Sequence, residues 1–309
     1  MDHIVTVSCR RDLRQLVQQI ESIELFVTKP ITHWVIFTDL NVSPGRQLRW
    51  MKLLYPLYRR HILQPVWPED IGELHDTFTM TWMPDLPNGK KPGDGWKIFQ
   101  PLQFTIYKRI GTDYLVLNTK NLFVKPTDLS SWDGQIGCGF CIPTETTPGR
   151  AWEHSIYLAG LLGQMPLTHC LAVETPAVVR YNTLKNCDLK SALNTWYRAR
   201  GVGMFSDWVF YSYLERDSID SVPIGCAINY MVLWDSAIHR VPERLAYQLT
   251  RPTMEILGVH RRFLQNCSKP QLVLLNQRLQ RLGFKTLFKR PKLDISHGDL
   301  LYQQSLIAS

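Results

Sequence analysis

No run in this chain approaches the ~20 consecutive apolar residues that carry a helix across a bilayer. The nearest, Ile156 to Leu162, is broken by Gly163 and Gln164. No secretory leader is expected either, because Met1-Asp2-His3-Ile4-Val5-Thr6-Val7-Ser8 turns polar too soon for an apolar h-region. Cysteine is sparse: Cys9, Cys138, Cys141, Cys170, Cys187, Cys226 and Cys267 form an odd set with irregular spacing. Without a leader, that argues against a disulfide framework and for a reduced, cytoplasmic protein. Cys138-Gly-Phe-Cys141 has C-x-x-C spacing but no second pair, so two core cysteines beside a tight turn are the better reading than zinc or redox chemistry. Repeats, low-complexity tracts and linker-like stretches are absent, and so is any nucleic-acid-binding motif.

What is present is ordinary for a globular protein: 309 residues, 45% apolar and 20% charged. Ten Trp, twelve Tyr and twelve Phe supply a large core. The formal charge is +8, from 35 Lys and Arg against 27 Asp and Glu. An excess of that size fits a local site for an anionic ligand better than a nucleic-acid footprint.

The first forty residues read as strand, helix, strand. Ile4 to Ser8 is a β-branched run. Asp12 and Gln15 have the spacing of a capping box, before a helix with Leu13, Leu16, Val17, Ile20 and Ile23 on one face. Thr32 to Thr38 is the second strand. Such a βαβ unit predicts a parallel sheet. A helix over 47–58, a strand over 62–66, a loop over 84–95 (Pro84, Pro87, Pro92, Gly89, Gly93, Gly95) and a helical pattern over 96–110 follow. Further on, 152–162, 189–198, 207–214 and 271–282 read as helices, and 228–233 as a strand.

The most informative stretch is Tyr114-Leu115-Val116-Leu117-Asn118-Thr119-Lys120-Asn121-Leu122-Phe123-Val124-Lys125-Pro126. It is a buried strand that ends abruptly in polar residues, at the place where open α/β sheets bind ligands. With Ser8-Cys9-Arg10-Arg11-Asp12-Leu13, Gly95-Trp96 with Gln100, Thr175-Pro176-Ala177-Val178-Val179, Phe205-Ser206-Asp207-Trp208 and Gly258-Val259-His260-Arg261-Arg262, it resembles a family of bacterial glycosyltransferase-A-like proteins associated with surface polysaccharide synthesis. The resemblance runs over most of the chain, excluding about the last forty residues. It implies an α/β fold of the glycosyltransferase-A (Rossmann-like) type, a mixed and mostly parallel sheet flanked by helices.

The resemblance also implies a nucleotide-diphosphate sugar donor and a glycan or lipid-linked acceptor. The family's strand ends in Asp-x-Asp and holds a divalent metal through oxygen ligands. Here Asn118 and Lys120 stand at those positions. A +2 ion 4 Å from an ammonium is repelled by on the order of 8 kcal/mol at an effective dielectric of ~20. Either Lys120 points away or no metal sits there. A divalent metal is the disfavoured alternative, no cofactor is the expectation, and Lys120 is the candidate to face the diphosphate. The implied donor-binding set is Arg11, Asp12, Trp96, Gln100, Asn118, Lys120, Asn121, His260, Arg261 and Arg262. Asp207 is the candidate catalytic base, with Asp133 and Glu174 as rivals. Most of these have plain structural readings too: Asp12 as a helix cap, Trp96 as core, Arg261 and Arg262 as a basic helix end.

The expected division is a glycosyltransferase-A-like domain over 1–283 and a basic tail over 284–309. Lys285, Lys289, Arg290 and Lys292 lie among Phe284, Leu287, Phe288 and Leu293 in that tail. Peripheral contact with the inner membrane face is one reading of the mixture, and a segment packed back by its aromatics is the favoured one. The loss of both carboxylates keeps a second function open, a non-catalytic glycosyltransferase-like binding protein.

Overall fold

A computed structural model describes residues 1–38, 42–67, 70, 102–146, 151–172, 175–192, 207–225, 229–233 and 253–290. The βαβ start holds. β1 (His3–Ser8), α1 (Leu13–Phe26) and β2 (Thr32–Phe37) are followed by α2 (Pro44–Leu54) and β3 (Ile62–Val66). The second helix begins earlier than its pattern suggests, because Pro44 sits where helices tolerate proline. It tightens into a 3-10 turn over Tyr55–Leu57, where Pro56 removes a donor.

After α3 (Tyr107–Ile110), Gly111 takes the left-handed conformation (φ 73°) that ends a helix, and β4 (Tyr114–Asn118) enters the core. The short strands β5 (Asn121–Phe123), β6 (Cys141–Pro143), β7 (His169–Leu171) and β8 (Ala177–Val179) follow, with α4 (Ala151–Leu162) between β6 and β7. The main sheet has the order β3-β2-β1-β4-β8, parallel except for β8. Its mixed character matches the α/β expectation. No helix among the described residues is long and apolar enough to cross a membrane.

The second half contributes α5 (Tyr181–Lys185), α6 (Asp207–Leu214), α7 (Arg216–Ile219), β9 (Tyr230–Leu233), β10 (Ile256–Val259), α8 (Arg261–Asn266) and α9 (Lys269–Arg281). β5, β10 and β9 form a second small sheet. Gly258 sits at its centre because a Cβ there would meet Val232 Cγ2 at 2.9 Å.

Residues 284–290 belong to this body. Phe284 and Phe288 are 3% and 4% exposed, in one core cluster with Leu275 and Leu279. Glu21 of α1 accepts from the backbone N–H groups of Lys285 and Thr286 at 2.5 and 2.9 Å, and Arg14 donates to the Leu287 carbonyl. The aromatics of this segment thus pack inward. The rest of the proposed tail lies outside the described residues.

Candidate functional site at the carboxyl end of the central sheet

Parallel pairing sets Val7 beside Asn118, so β1 and β4 deliver their carboxyl ends together. The turn Asn118-Thr119-Lys120-Asn121 follows and is clamped from three sides. From α1, Gln19 Nε2 donates to the carbonyls of Asn118 (2.7 Å) and Asn121 (3.2 Å). From the loop before β8, Thr175 Oγ1 donates to Asn121 Oδ1, and the Thr175 carbonyl accepts from Asn121 Nδ2. From β10, Val259 N–H donates to the Lys120 carbonyl at 2.8 Å, while Gln15 of α1 reaches the Val259 carbonyl.

Asn121 is therefore not placed to touch a donor. It is 0% exposed, and its Oδ1 also accepts the Asn118 N–H at 2.8 Å, so its side chain fixes the turn around Lys120. Asn118 is exposed at the strand end, and Lys120 is half-buried in the turn.

Behind the turn runs a buried polar chain that the sequence reading missed. Gln19 must present its amide nitrogen to the two carbonyls, so its Oε1 accepts from the Thr6 hydroxyl at 2.9 Å. Having donated its one proton, Thr6 Oγ1 accepts from His33 Nε2 at 2.9 Å. His33 Nδ1 then accepts the Tyr58 hydroxyl at 2.7 Å. Burial, with a smaller contribution from His61, pushes His33 down to about 3, so the ring is neutral and each nitrogen has its partner.

The same logic settles His260. It precedes α8 as its N-cap, and its Nδ1 accepts the Arg262 N–H at 3.2 Å. Burial lowers its pKa to about 3, helped by the charges of Lys120 and Arg262. His260 is thus a neutral ring with its proton on Nε2, not a third cation. The two neighbouring charges show which groups gather here: Lys120, His260 and Arg262. Arg261 and Arg262 open α8 instead of closing a helix, so they do not complement a helix carboxyl terminus.

Asp12 departs from its expected cap role. A 3-10 turn over Arg10–Asp12 puts it in the helical region (φ −101°, ψ 0°), not the extended backbone from which a side chain reaches back to cap. Its carboxylate instead accepts from Cys9 Sγ at 3.4 Å, and Gln15 serves β10. Trp96 and Gln100 lie outside the described residues, as do Glu174 and the side chains of Arg11 and Asp207. The backbone of Asp207 opens α6 as its pattern implies. Asp133 pairs with the Met1 amino group at 2.8 Å, at the start of β1 and so at the far end of the sheet.

The described side chains at this turn do not make a ligand set for a divalent metal. Asn118 offers one neutral oxygen, Lys120 an ammonium, and His260 has its lone pair occupied by Arg262 N–H. Among the described residues, no three His, Cys, Asp or Glu side chains group as ligands. The C-x-x-C cysteines are buried, and burial raises Cys138 to about 11 and Cys141 to about 12. A thiol at about 11 is about one-thousandth ionised at pH 8. Both should resist alkylation at pH 8 in the folded protein and react fully in denaturant; rapid native labelling by mass spectrometry contradicts their burial.

A cleft of about 400 Å³ lies at the opposite end of the sheet, lined by Asp113, Arg180, Asn182, Thr183, Cys187 and Glu215 among others. Glu215 is 2% exposed and accepts from Arg180, Thr183 and Tyr211. None of the candidate donor-binding or catalytic residues lines it.

No protein-family profile matches this sequence, and comparison with curated proteins gives no match. Solved structures do match in shape. The galactosyltransferase LgtC, in complex with donor and acceptor sugar analogues, superposes over 94% of this chain and 98% of its own, with a TM-score of 0.50 and 11% identity. An active-site mutant of LgtC gives a TM-score of 0.53 at 13% identity over the same shares. This is the glycosyltransferase-A fold. In this chain the clamped turn lies at the carboxyl end of the parallel strands β1 and β4.

Proposed function

We propose that this chain is a glycosyltransferase of polysaccharide biosynthesis, moving a sugar from a nucleotide-diphosphate donor to a glycan or lipid-linked acceptor without a divalent metal. The observation that carries the reading is the clamped turn, which sets Lys120 against His260 and Arg262 at the ligand-binding end of a glycosyltransferase-A sheet. The solved complex of LgtC with sugar analogues supports the class of ligand.

Breaking the anomeric bond builds negative charge on the departing diphosphate. Lys120 and Arg262 supply the opposing charge, and Arg262 can grip two oxygens at once. The Nε2–H of His260 adds a neutral hydrogen bond, and Arg261 a further cation. Arg11 and Asp12, just past β1, serve the nucleoside, with Asp12 accepting from ribose hydroxyls. Trp96, Gln100 and Asn118 shape the donor pocket, with Asn121 holding the turn. Asp207 removes the proton of the attacking hydroxyl.

The test is release of free nucleoside diphosphate from a panel of nucleotide sugars with an acceptor extract. Release that survives a chelator is expected; complete loss on chelation overturns metal independence. Asp207→Asn should lower turnover and leave donor affinity in place, and an unchanged rate removes Asp207 from the mechanism. The absence of both Asp-x-Asp carboxylates favours a second reading, a non-catalytic nucleotide-sugar-binding protein. Donor binding without release under any acceptor selects it.

A further inference from the structure

The outer face of α2 and the strand edge beside it carry a surface that plays no part in the donor site. α2 buries only Trp50 and Leu54. Leu48, Leu53, Tyr55 and Ile62 are 55%, 51%, 50% and 63% exposed. Leu48, Lys52 and Tyr55 follow one helical stripe, Arg49 and Leu53 the next, and Ile62 opens β3, the edge strand among the described residues. From Val42 to Trp67 there is no Asp or Glu, yet there are Arg46, Arg49, Lys52, Arg59 and Arg60. Arg60 is committed to Glu24 and the Val27 carbonyl. Among the described residues, the side chains of Arg46, Arg49, Lys52 and Arg59 make no ion pair or hydrogen bond.

We propose that this face docks the protein on an anionic phospholipid bilayer. Four unpaired cations of one sign call for an anionic partner. Apolar side chains interleaved with them distinguish the partner: a nucleic acid matches the charge and leaves the leucines in water, whereas acidic headgroups above acyl chains match both. The topology gives a consistent orientation. β2 ends at Phe37 beside Ser8, and β3 starts at Ile62 beside Thr32, so α2 runs back along the whole sheet edge. With that edge on the bilayer, the turn of Lys120 opens along the surface and not into it. The segment 284–290 is the weaker rival, because Phe284 and Phe288 are buried and Arg290 donates to the Cys267 carbonyl. The proposal stands whether or not the chain transfers sugars.

The full chain is sedimented with vesicles of phosphatidylcholine, with and without phosphatidylglycerol. Binding is expected only with phosphatidylglycerol, and it should weaken in high salt. Arg49→Glu with Lys52→Glu should lower the partition coefficient by at least about five-fold per charge removed. Leu48→Ser with Leu53→Ser should also weaken it. Both pairs are exposed, so melting temperatures should not move. Lys285→Glu with Lys289→Glu should leave binding in place. Equal binding to neutral vesicles, no binding to either, indifference to the serine pair, loss confined to the Lys285 and Lys289 pair, or capture by an oligonucleotide in preference to vesicles each overturns the proposal.

Discussion

Replacing Lys120 by Met should lower turnover by about two to three orders of magnitude, the scale of losing one preorganised donor to a developing oxyanion. The fold should survive, since the turn is held through the Lys120 carbonyl, the Asn121 side chain and Gln19, none of which the substitution alters. Added divalent cations should not rescue the variant, because neither Asn118 nor Met supplies a carboxylate. Lys120→Arg keeps the charge and should retain part of the rate. One readout needs no activity. The Lys120 charge helps to hold His260 down at about 3, so Lys120→Met should let that ring titrate at higher pH, toward the ordinary histidine range. NMR titration of His260 measures this. An unmoved histidine together with an unmoved rate means that Lys120 points away from the site.

The features legible in the sequence were those whose cause is local. The βαβ start follows from a β-branched run, a one-faced helix and a second apolar strand, and the polar end of β4 is visible as a sudden change after Leu117. The capping box at Ser268 and Gln271 forms, while the one expected at Asp12 and Gln15 does not, although the spacing is the same. A 3-10 turn ahead of α1, which spacing does not encode, makes the difference. Asn121 carried the wrong emphasis for a related reason. Its residue type suits a ligand, but Thr175 lies 54 residues away and consumes the amide. Gln15 and Gln19 look like surface glutamines on a helix until their partners appear 244 and 99 residues on. His33 reads as an incidental polar residue in an apolar strand, and only the packing of Thr6 and Tyr58 on either side makes it a link in the chain behind the turn. Long-range polar closure of this kind leaves no periodicity to find.

Two neutral histidines also predict how the fold responds to acid. His33 and His260 are both held at about 3, whereas in the unfolded chain they titrate at their ordinary 6.5. Between those values the unfolded state binds protons that the folded state refuses, so stability falls as pH falls, by about 1.4 kcal/mol per pH unit for each ring. From pH 7 to pH 5 the two together should cost about 4 kcal/mol, a large part of the 5–15 kcal/mol typical of a folded domain. His61, also lowered by burial, acts in the same direction. Asp128, held down to about 2 chiefly by its hydrogen bond with Lys29, loses its contribution only at lower pH, so it does not confuse the window. His260→Asn separates the two rings. Asparagine caps a helix as well as histidine does here, so stability at pH 7 should hold within about 1 kcal/mol. The slope of stability against pH between 6 and 4 should fall by close to half that of the pair. Denaturant melts across that range measure it. A slope unchanged by His260→Asn means that His260 accepts protons readily in the folded protein, and its assignment as a neutral Nε2–H donor to the diphosphate fails with it.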